Sequence, residues 1–192
     1  MPLTLRERNS ERIFDQDEAP RPDTTAEALA RLKPAFRPDG TITAGNAPGL
    51  NAGAAAMEVA DRAHAERIGL EPAARLVAWG VGAVEPGMFG LGPVPAVRQA
   101  LARAGWRLAD LERIEINEAF AAVPLAVMDE LGLPEDLVHV EGGAIAHGHA
   151  IGATGAVLLT RLIHSLGRDG GLSRCASVAG KASPCWWNDC RI

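Results

Sequence analysis

The sequence contains few cysteines, and all of them lie towards one end. Cysteine occurs at three of the 192 positions, Cys175, Cys185 and Cys190. An odd and crowded set of this kind does not form the paired-disulfide framework of small secreted domains. The spacing between these cysteines also matches no usual arrangement of zinc ligands. We therefore expect a protein of the reducing cytoplasm, without a metal site.

Long apolar runs and an excess of positive charge are missing as well. No segment approaches the roughly 18 consecutive apolar residues of a membrane span, and residues 1–12 lack the apolar stretch of a signal peptide. The formal net charge is -5, which favours neither nucleic acid nor an anionic membrane surface as a partner. The composition thus indicates a soluble protein with no nucleic-acid or membrane partner.

Predicted strands alternate with predicted helices along the chain, and the apolar share of 47% is enough for a buried core. The predicted strands are at residues 12–14, 76–81, 114–116 and 138–140. The predicted helices are at residues 26–32, 94–104, 119–131 and 155–166. Short strands that alternate with helices of about ten residues predict a layered α/β fold.

Residues 142–155 are the segment most suggestive of chemistry. They read Gly-Gly-Ala-Ile-Ala-His-Gly-His-Ala-Ile-Gly-Ala-Thr-Gly, which is typical of a strand end running into a Gly-rich turn that opens a helix. Such turns expose backbone N–H groups and hold one side chain at a defined angle. His149 lies in this turn, where an imidazole is able to act as a base or a hydrogen-bond donor. Taken alone, it is better explained as a loop histidine that titrates in solvent.

Two further segments have unusual compositions. Residues 117–121, Asn-Glu-Ala-Phe-Ala, form a predicted strand-to-helix junction. By itself this junction is explained by Asn117 as a helix N-cap and by Phe120 in the core. Residues 44–56 are almost all small, which indicates that backbone packs closely on backbone or on a ligand.

Taken together, residues 117–121 and 142–155 closely resemble the two C-terminal motifs of thiolases, enzymes that make or break carbon–carbon bonds between coenzyme A thioesters. Three further thiolase motifs resemble residues 17–25, 43–56 and 90–96. The resemblance implies a thiolase C-terminal half, with a mixed five-stranded sheet between helices. It also implies a division into a loop-domain remnant, a C-terminal domain and an aberrant tail, at residues 1–33, 34–174 and 175–192.

The resemblance also implies a mechanism, acyl transfer through an acyl-cysteine intermediate with coenzyme A as co-substrate and no other cofactor. A histidine like His149 activates the nucleophilic cysteine and then helps to hold a thioester oxygen. An asparagine like Asn117 fixes a water that donates to the same oxygen. Cys175 lies within about one position of the second catalytic cysteine of the family. The implied substrate- and coenzyme A-binding residues are Arg21, Thr24, Phe36, Ala44, Gly45, Ala47, Gly49, Ala119 and Phe120.

The nucleophilic cysteine of thiolases has no counterpart here. In the family it lies in the N-terminal half, and this sequence has no cysteine before Cys175. We therefore expect this chain alone to be inactive. Its partners are expected to be acyl-CoA substrates together with a second copy of the chain or a separate N-terminal thiolase half. The alternative is a non-catalytic fragment that at most packs against a partner.

The tail, residues 175–192, departs furthest from the family. Thiolases end in Cys-x-Gly-Gly-Gly-x-Gly and an apolar strand, whereas this tail has two adjacent tryptophans and no glycine cluster. Permissible codons read from the third base of the Ala176 codon give Leu-Gly-Gly-Gly-Gln-Gly-Ile-Ala-Leu-Leu-Val, a regular thiolase ending. We therefore predict a frameshifted tail. The alternatives are a diverged natural tail and a zinc site.

Overall fold

The computed structural model describes residues 2–17, 19–169 and 175–178, with the backbone alone described at residues 166–169 and 175–178. The chain divides into two compact units, the first ending at Arg31 and the second beginning at Leu32. The division expected after residue 33, between a loop-domain remnant and a C-terminal domain, stays a prediction about their origin.

The first unit consists of a hairpin and a short helix. Strands β1 (Leu3–Glu7) and β2 (Ser10–Phe14) pair antiparallel. Helix α1 (Ala26–Ala30) begins where the Thr25 side chain accepts a hydrogen bond from the Ala28 backbone N–H, at 3.1 Å. The structure thus confirms the predicted strand near residues 12–14 and a helix that begins at residue 26.

The second unit contains most of the helices. These are α2 (Arg62–Arg67), α3 (Pro93–Ala104), α4 (Ala122–Leu131), α5 (Ala144–His147) and α6 (Thr154–Asp169). Short 3-10 turns span Pro86–Leu91, Leu108–Asp110 and Glu135–Leu137. Glycines end α3 and α4, since Gly105 and Gly132 adopt left-handed φ values of 67° and 64°. No helix in the described part of the chain is both long enough and apolar enough to span a membrane.

Strand β3 (Arg113–Ile116) lies at the centre of the core and pairs in parallel with β4 (Cys175–Val178). The side chain of Ile116 is 1% exposed. The core cluster around it consists of Val94, Val97, Leu111, Ile114, Val123, Val127 and Leu131. These residues come from β3, from helices α3 and α4 and from the turn before β3, so the core is an α/β layer. The cluster holds the end of β3, and therefore Asn117, in place.

The sheet of the described residues is smaller than the five strands that we expected. Besides β3 and β4, the described residues of the second unit show only isolated bridges, Ile114 with Val138 and Leu50 with His149. Residues 76–81, predicted as a buried strand, lie outside any ladder and are largely exposed. Apolar content alone therefore did not predict strand pairing there, because pairing depends on partners elsewhere in the chain.

The predicted strand at residues 138–140 is also wrong. After its single bridge at Val138 the chain turns, and His139 takes a left-handed φ of 52° that a ladder does not accommodate. Helix α4 starts at Ala122 rather than at residue 119, because the Ala121 N–H donates to the Asn46 carbonyl at 2.9 Å. Helices α3 and α6 are confirmed, and α6 runs three residues beyond its predicted end.

Candidate active site

His149 lies in the turn between α5 and α6 and is fixed to the small-residue segment. Its backbone N–H donates to Asn51 Oδ1 at 3.0 Å, and its backbone forms an isolated parallel bridge with Leu50. Gly148 precedes it with φ of 96°, and a Cβ there would lie 2.8 Å from Asn51 Cγ. Glycine is therefore required for this close approach, as the small residues at 44–56 suggested.

The imidazole of His149 is oriented by Thr154. Nδ1 lies 2.7 Å from the Thr154 hydroxyl, which donates its proton to the Ala150 carbonyl at 2.8 Å. We assign the single hydroxyl proton of Thr154 to the Ala150 carbonyl, and with this assignment Nδ1 carries the proton in its contact with Thr154. The neutral ring then has an unprotonated Nε2. Burial lowers the pKa of His149, so the neutral ring, with Nε2 available as a base, is favoured at neutral pH.

Asn117 directly follows β3, and its side chain is buried. Its Oδ1 accepts no hydrogen bond from any protein group in the part of the chain that the structure describes. A buried acceptor without a donor costs about 1–3 kcal/mol. Such atoms are rare in folded proteins unless a function requires them. Asn117 is therefore available for a polar ligand atom rather than committed to a helix cap, and α4 begins five residues later.

The two motifs that carry Asn117 and His149 are joined by Glu118. Its carboxylate accepts a hydrogen bond from the Ile145 backbone N–H at 2.8 Å, across 27 residues of sequence. The carboxylate also packs directly on the Cα of Gly143, where any Cβ would collide with it. Glycine at position 143 is explained by this contact.

The segment at residues 43–49 is organised by Asn46. Its Oδ1 accepts from the Thr43 N–H at 2.8 Å, and its Nδ2 donates to the Thr41 carbonyl at 2.9 Å. The Asn46 carbonyl accepts from Ala121. The expected coenzyme A-contacting residues of this segment are exposed or half-buried, namely Ala44, Gly45, Ala47 and Gly49. All three motifs are thus joined by hydrogen bonds between residues distant in sequence.

Phe120 forms the centre of an aromatic cluster. Its ring meets Phe36 edge-to-face at a centroid distance of 5.6 Å and Phe89 at 6.3 Å. Phe36 is 70% exposed. Ala119 and Phe120 also pack against the core. This packing agrees with the structural interpretation of residues 117–121, in which Phe120 is a core residue. Phe120 therefore both supports the core and presents an apolar surface next to Asn117.

A shallow cavity of about 470 Å³ lies between the small-residue segment and the residues that follow His149. Its walls are formed by residues 51–55, residues 150–153 and Ala156. Nearly all of these side chains are small, so ligand atoms would contact the backbone there closely. Among the described residues there is no group of three or more histidine, cysteine, aspartate or glutamate side chains placed to hold a metal ion.

The hydrogen bonds that join the three motifs do not involve Arg21, Thr24 or Cys175. Arg21 and Thr24 belong to the first unit, where the Thr24 N–H donates to the Arg21 carbonyl at 3.2 Å. Cys175 begins β4 opposite Arg113, whereas Asn117 follows the other end of β3. At about 3.3 Å per residue, the register separates their backbones by roughly 13 Å along the strand. The assignment of Cys175 as a catalytic cysteine stays a prediction.

Sequence reasoning did not identify Asn51, Thr154 and Glu118 as parts of the site. Each lies inside a segment that resembles a thiolase motif, and each is a polar side chain among glycine and alanine. That contrast is the signal that would have found them, because a polar group in such a segment requires a specific partner. The partner of Asn51 lies 98 positions away.

Two family models match this chain. The thiolase C-terminal domain matches residues 70–184, and the thiolase N-terminal domain matches residues 1–63. The first match extends into the segment that we expect to be frameshifted. Most of that segment, residues 179–192, lies outside the described residues, and the frameshift stays a prediction.

Curated relatives are acetyl-CoA acetyltransferases. That of Rhizobium meliloti (strain 1021) is 48% identical over 170 residues, which are 88% of this chain and 43% of the relative. The cytosolic enzyme of Mus musculus is 49% identical over 164 residues, which are 84% of this chain and 41% of the relative. This chain therefore spans less than half the length of these relatives.

Solved structures show the same likeness. The acetyl-CoA acetyltransferase of Bacillus anthracis superposes with a TM-score of 0.81 at 45% identity, covering 94% of this chain and 46% of that one. Human mitochondrial 3-ketoacyl-CoA thiolase in complex with CoA gives a TM-score of 0.73 at 40% identity, covering 83% of this chain and 40% of that one. These matches confirm the predicted thiolase-like α/β fold and the resemblance drawn from the motifs, and the chain belongs to the thiolase family.

Proposed function

We propose that this chain supplies the histidine and asparagine of a thiolase active site, for acyl transfer between coenzyme A thioesters. The observation that carries the proposal is the contact between Nδ1 of His149 and the Thr154 hydroxyl at 2.7 Å, and the tautomer assigned from it leaves Nε2 as a base. The names of the relatives, which include acetyl-CoA acetyltransferases and a 3-ketoacyl-CoA thiolase, support the substrate class.

In the proposed reaction the nucleophile is a cysteine on another polypeptide segment. Its sulfur attacks the carbonyl carbon of an acyl-CoA while its proton passes to Nε2 of His149. Coenzyme A leaves as a thiolate, which takes a proton from a second cysteine, the role that resemblance gives to Cys175. The acyl group remains on the nucleophile as a thioester. The Cys175 thiolate left by this step takes the α-proton of a second acyl-CoA, and the protonated Nε2 donates to the oxygen of that thioester as negative charge develops there. The resulting carbanion attacks the acyl-enzyme carbonyl, which forms the carbon–carbon bond and releases the nucleophilic cysteine as a thiolate that recovers its proton from His149.

Asn117 is proposed to complete the same oxyanion site. Its buried Oδ1 lacks a donor among the described protein groups, so it is able to accept from a water that donates in turn to the thioester oxygen. Two donors to one oxyanion are worth far more in a site that excludes water than in solution. Phe120 is proposed as a wall of the acyl pocket beside this oxygen.

Coenzyme A is the proposed co-substrate, with no further cofactor. Its proposed contacts are Ala119 beside Asn117 and the residues that resemble the coenzyme A site of the family, namely Arg21, Thr24, Phe36, Ala44, Gly45, Ala47 and Gly49. We propose the cytoplasm as its location, which agrees with the name of the cytosolic relative from Mus musculus.

The partner is proposed to be an N-terminal thiolase half or a second copy of the chain. The second candidate function, a non-catalytic packing partner, is favoured by two exposed apolar side chains close to the cavity. Leu50 is 94% exposed and Ile151 is 70% exposed. Apolar groups of this size beside a site are commonly covered in an assembly.

One experiment separates the two functions. The chain is co-produced with the nucleophile-bearing N-terminal half of an acetyl-CoA acetyltransferase, and thiolysis of acetoacetyl-CoA is followed. The enzyme proposal predicts turnover in the co-purified pair and none with either half alone. A stable pair without turnover would support the packing function and contradict the catalytic one.

A further inference from the structure

Glu118 is the charged residue of the Asn117 motif to which the proposed reaction gives no role. Its side chain is only 14% exposed. One carboxylate oxygen accepts from the Ile145 N–H, and the whole group rests on the Cα of Gly143. A buried carboxylate is stable only where hydrogen bonds and nearby positive charge compensate for its lost hydration. The groups that surround the Glu118 carboxylate must therefore supply this compensation.

A second buried carboxylate, Glu115, lies close by on β3. Its Oε2 is 3.3 Å from Nη1 of Arg161 and 3.2 Å from Nδ1 of His139. The other ring nitrogen of His139 lies 3.9 Å from Oε1 of Glu118. The imidazole thus lies between the two carboxylates, and the guanidinium of Arg161 contacts the same oxygen of Glu115 as the imidazole does. These residues come from β3, the following junction, the turn before α5 and α6.

The same groups hold the turn that leads to His149. Nη2 of Arg161 donates to the Gly142 carbonyl at 2.9 Å, and the Gly142 N–H donates to the His139 carbonyl at 2.8 Å. Glu118 accepts from Ile145 on the opposite side. The guanidinium of Arg161 therefore holds a carbonyl of this turn, and the carboxylate of Glu118 holds an amide N–H. His139 takes a left-handed φ of 52° within this turn.

We propose that Glu118 is a positioning residue for His149, whose carboxylate, set among Glu115, His139 and Arg161, fixes the turn that places the imidazole. This inference rests on the proposed function for its catalytic meaning. Ile145 lies only four positions before His149, and the intervening chain is the end of the single turn of α5 followed by Gly148. Loss of the carboxylate leaves the Ile145 N–H without its acceptor and Gly143 without its support. The imidazole then gains access to water.

The test uses the isolated full chain and two nuclear magnetic resonance measurements, so it requires no turnover. The first is hydrogen exchange at the Ile145 amide, and the second is the titration of His149. Glu118→Ala is expected to speed exchange about tenfold or more, the equivalent of one charge-assisted hydrogen bond. It is also expected to raise the pKa of His149 towards its ordinary value of 6.5, since burial is what lowers it.

Two further variants keep the result interpretable. Glu130→Ala removes an exposed glutamate that pairs with Arg98 on the surface, so both readouts should match the unmodified chain. Glu118→Gln retains an oxygen acceptor of the same shape, so exchange should be faster than in the unmodified chain but slower than in Glu118→Ala.

Unchanged exchange and an unchanged His149 titration in Glu118→Ala would overturn the proposal, as would equal changes in Glu130→Ala. If Glu118→Ala does not fold, unchanged readouts in Glu118→Gln overturn it instead. Failure of the acyl-transfer proposal leaves these readouts unaffected and is therefore distinguishable.

Discussion

The Thr154 hydroxyl lies 2.7 Å from Nδ1 of His149 and donates its proton to the Ala150 carbonyl 2.8 Å away. This pair of hydrogen bonds selects the Nδ1-protonated form of the imidazole. We predict that Thr154→Val, which keeps the shape and removes the hydroxyl, yields a mixture of ring tautomers. Nitrogen chemical shifts of the imidazole measure the populations. Thr154→Ser should retain the single tautomer, and a single Nδ1-protonated form in the valine variant would contradict this account.

The pH dependence of stability follows from the lowered pKa of His149. The unfolded chain takes up the proton near pH 6.5, the ordinary value, while the folded chain resists it until a lower pH. The contribution of His149 to the free energy of unfolding is therefore largest above that ordinary value and decreases as the pH drops below it. We predict that the free energy of unfolding of His149→Gln falls less between about pH 7.5 and 5.5 than that of the unmodified chain. Urea unfolding of both chains at several pH values measures the difference, and identical pH profiles would count against the prediction.

Ile116 connects the core to the site, because its buried side chain immediately precedes Asn117. Ile116→Ala is expected to lower the free energy of unfolding by about 2–5 kcal/mol, since it opens a cavity in a close-packed region. Ile151 is 70% exposed, so Ile151→Ala serves as the matched control and should change stability by about 0.5 kcal/mol or less. Urea denaturation measures both. Equal effects would show that the core is not centred on β3.

The C-terminal tail leads to a prediction about the gene. Read from the third base of the Ala176 codon, the nucleotide sequence should encode Leu-Gly-Gly-Gly-Gln-Gly followed by an apolar run. A chain carrying that ending should be more stable, because an apolar segment of this type fills a strand buried on both faces. Sequencing the gene provides the test. A frame without the glycine cluster would refute the frameshift and leave a diverged natural tail.

Local patterns in the sequence predicted helices α1, α3, α4 and α6 but not α2 and α5, and they predicted the strands poorly. The apolar spacing in α3 and α6 predicted both helices, because a helix satisfies its hydrogen bonds within its own segment. Residues 76–81 have the composition of a strand, but a ladder also requires a partner strand in register. The left-handed φ of His139 ended another predicted strand, and the His139 side chain contacts Glu115, 24 positions away in sequence.

The sequence predicted only part of the candidate site, because local patterns do not specify contacts between distant residues. His149 and Asn117 lie in segments whose composition marks them, and resemblance to thiolases gave them roles. The contacts that orient them join distant residues, such as Asn51 with His149 across 98 positions. A local pattern does not specify such pairs. Cys175 is an example. It lies within about one position of where thiolases have their second catalytic cysteine, but that match did not predict that it pairs opposite Arg113.

The central claim is that His149 is the base for acyl transfer once a nucleophilic cysteine is supplied. The most direct measurement is the rate of acetoacetyl-CoA thiolysis by the chain paired with an N-terminal thiolase half, compared between His149→Ala and His164→Ala. His164 is an exposed histidine on α6 and serves as the control. We expect the thiolysis rate to fall by about a hundredfold or more in His149→Ala and to be unchanged in His164→Ala. Equal rates in the two variants would contradict it.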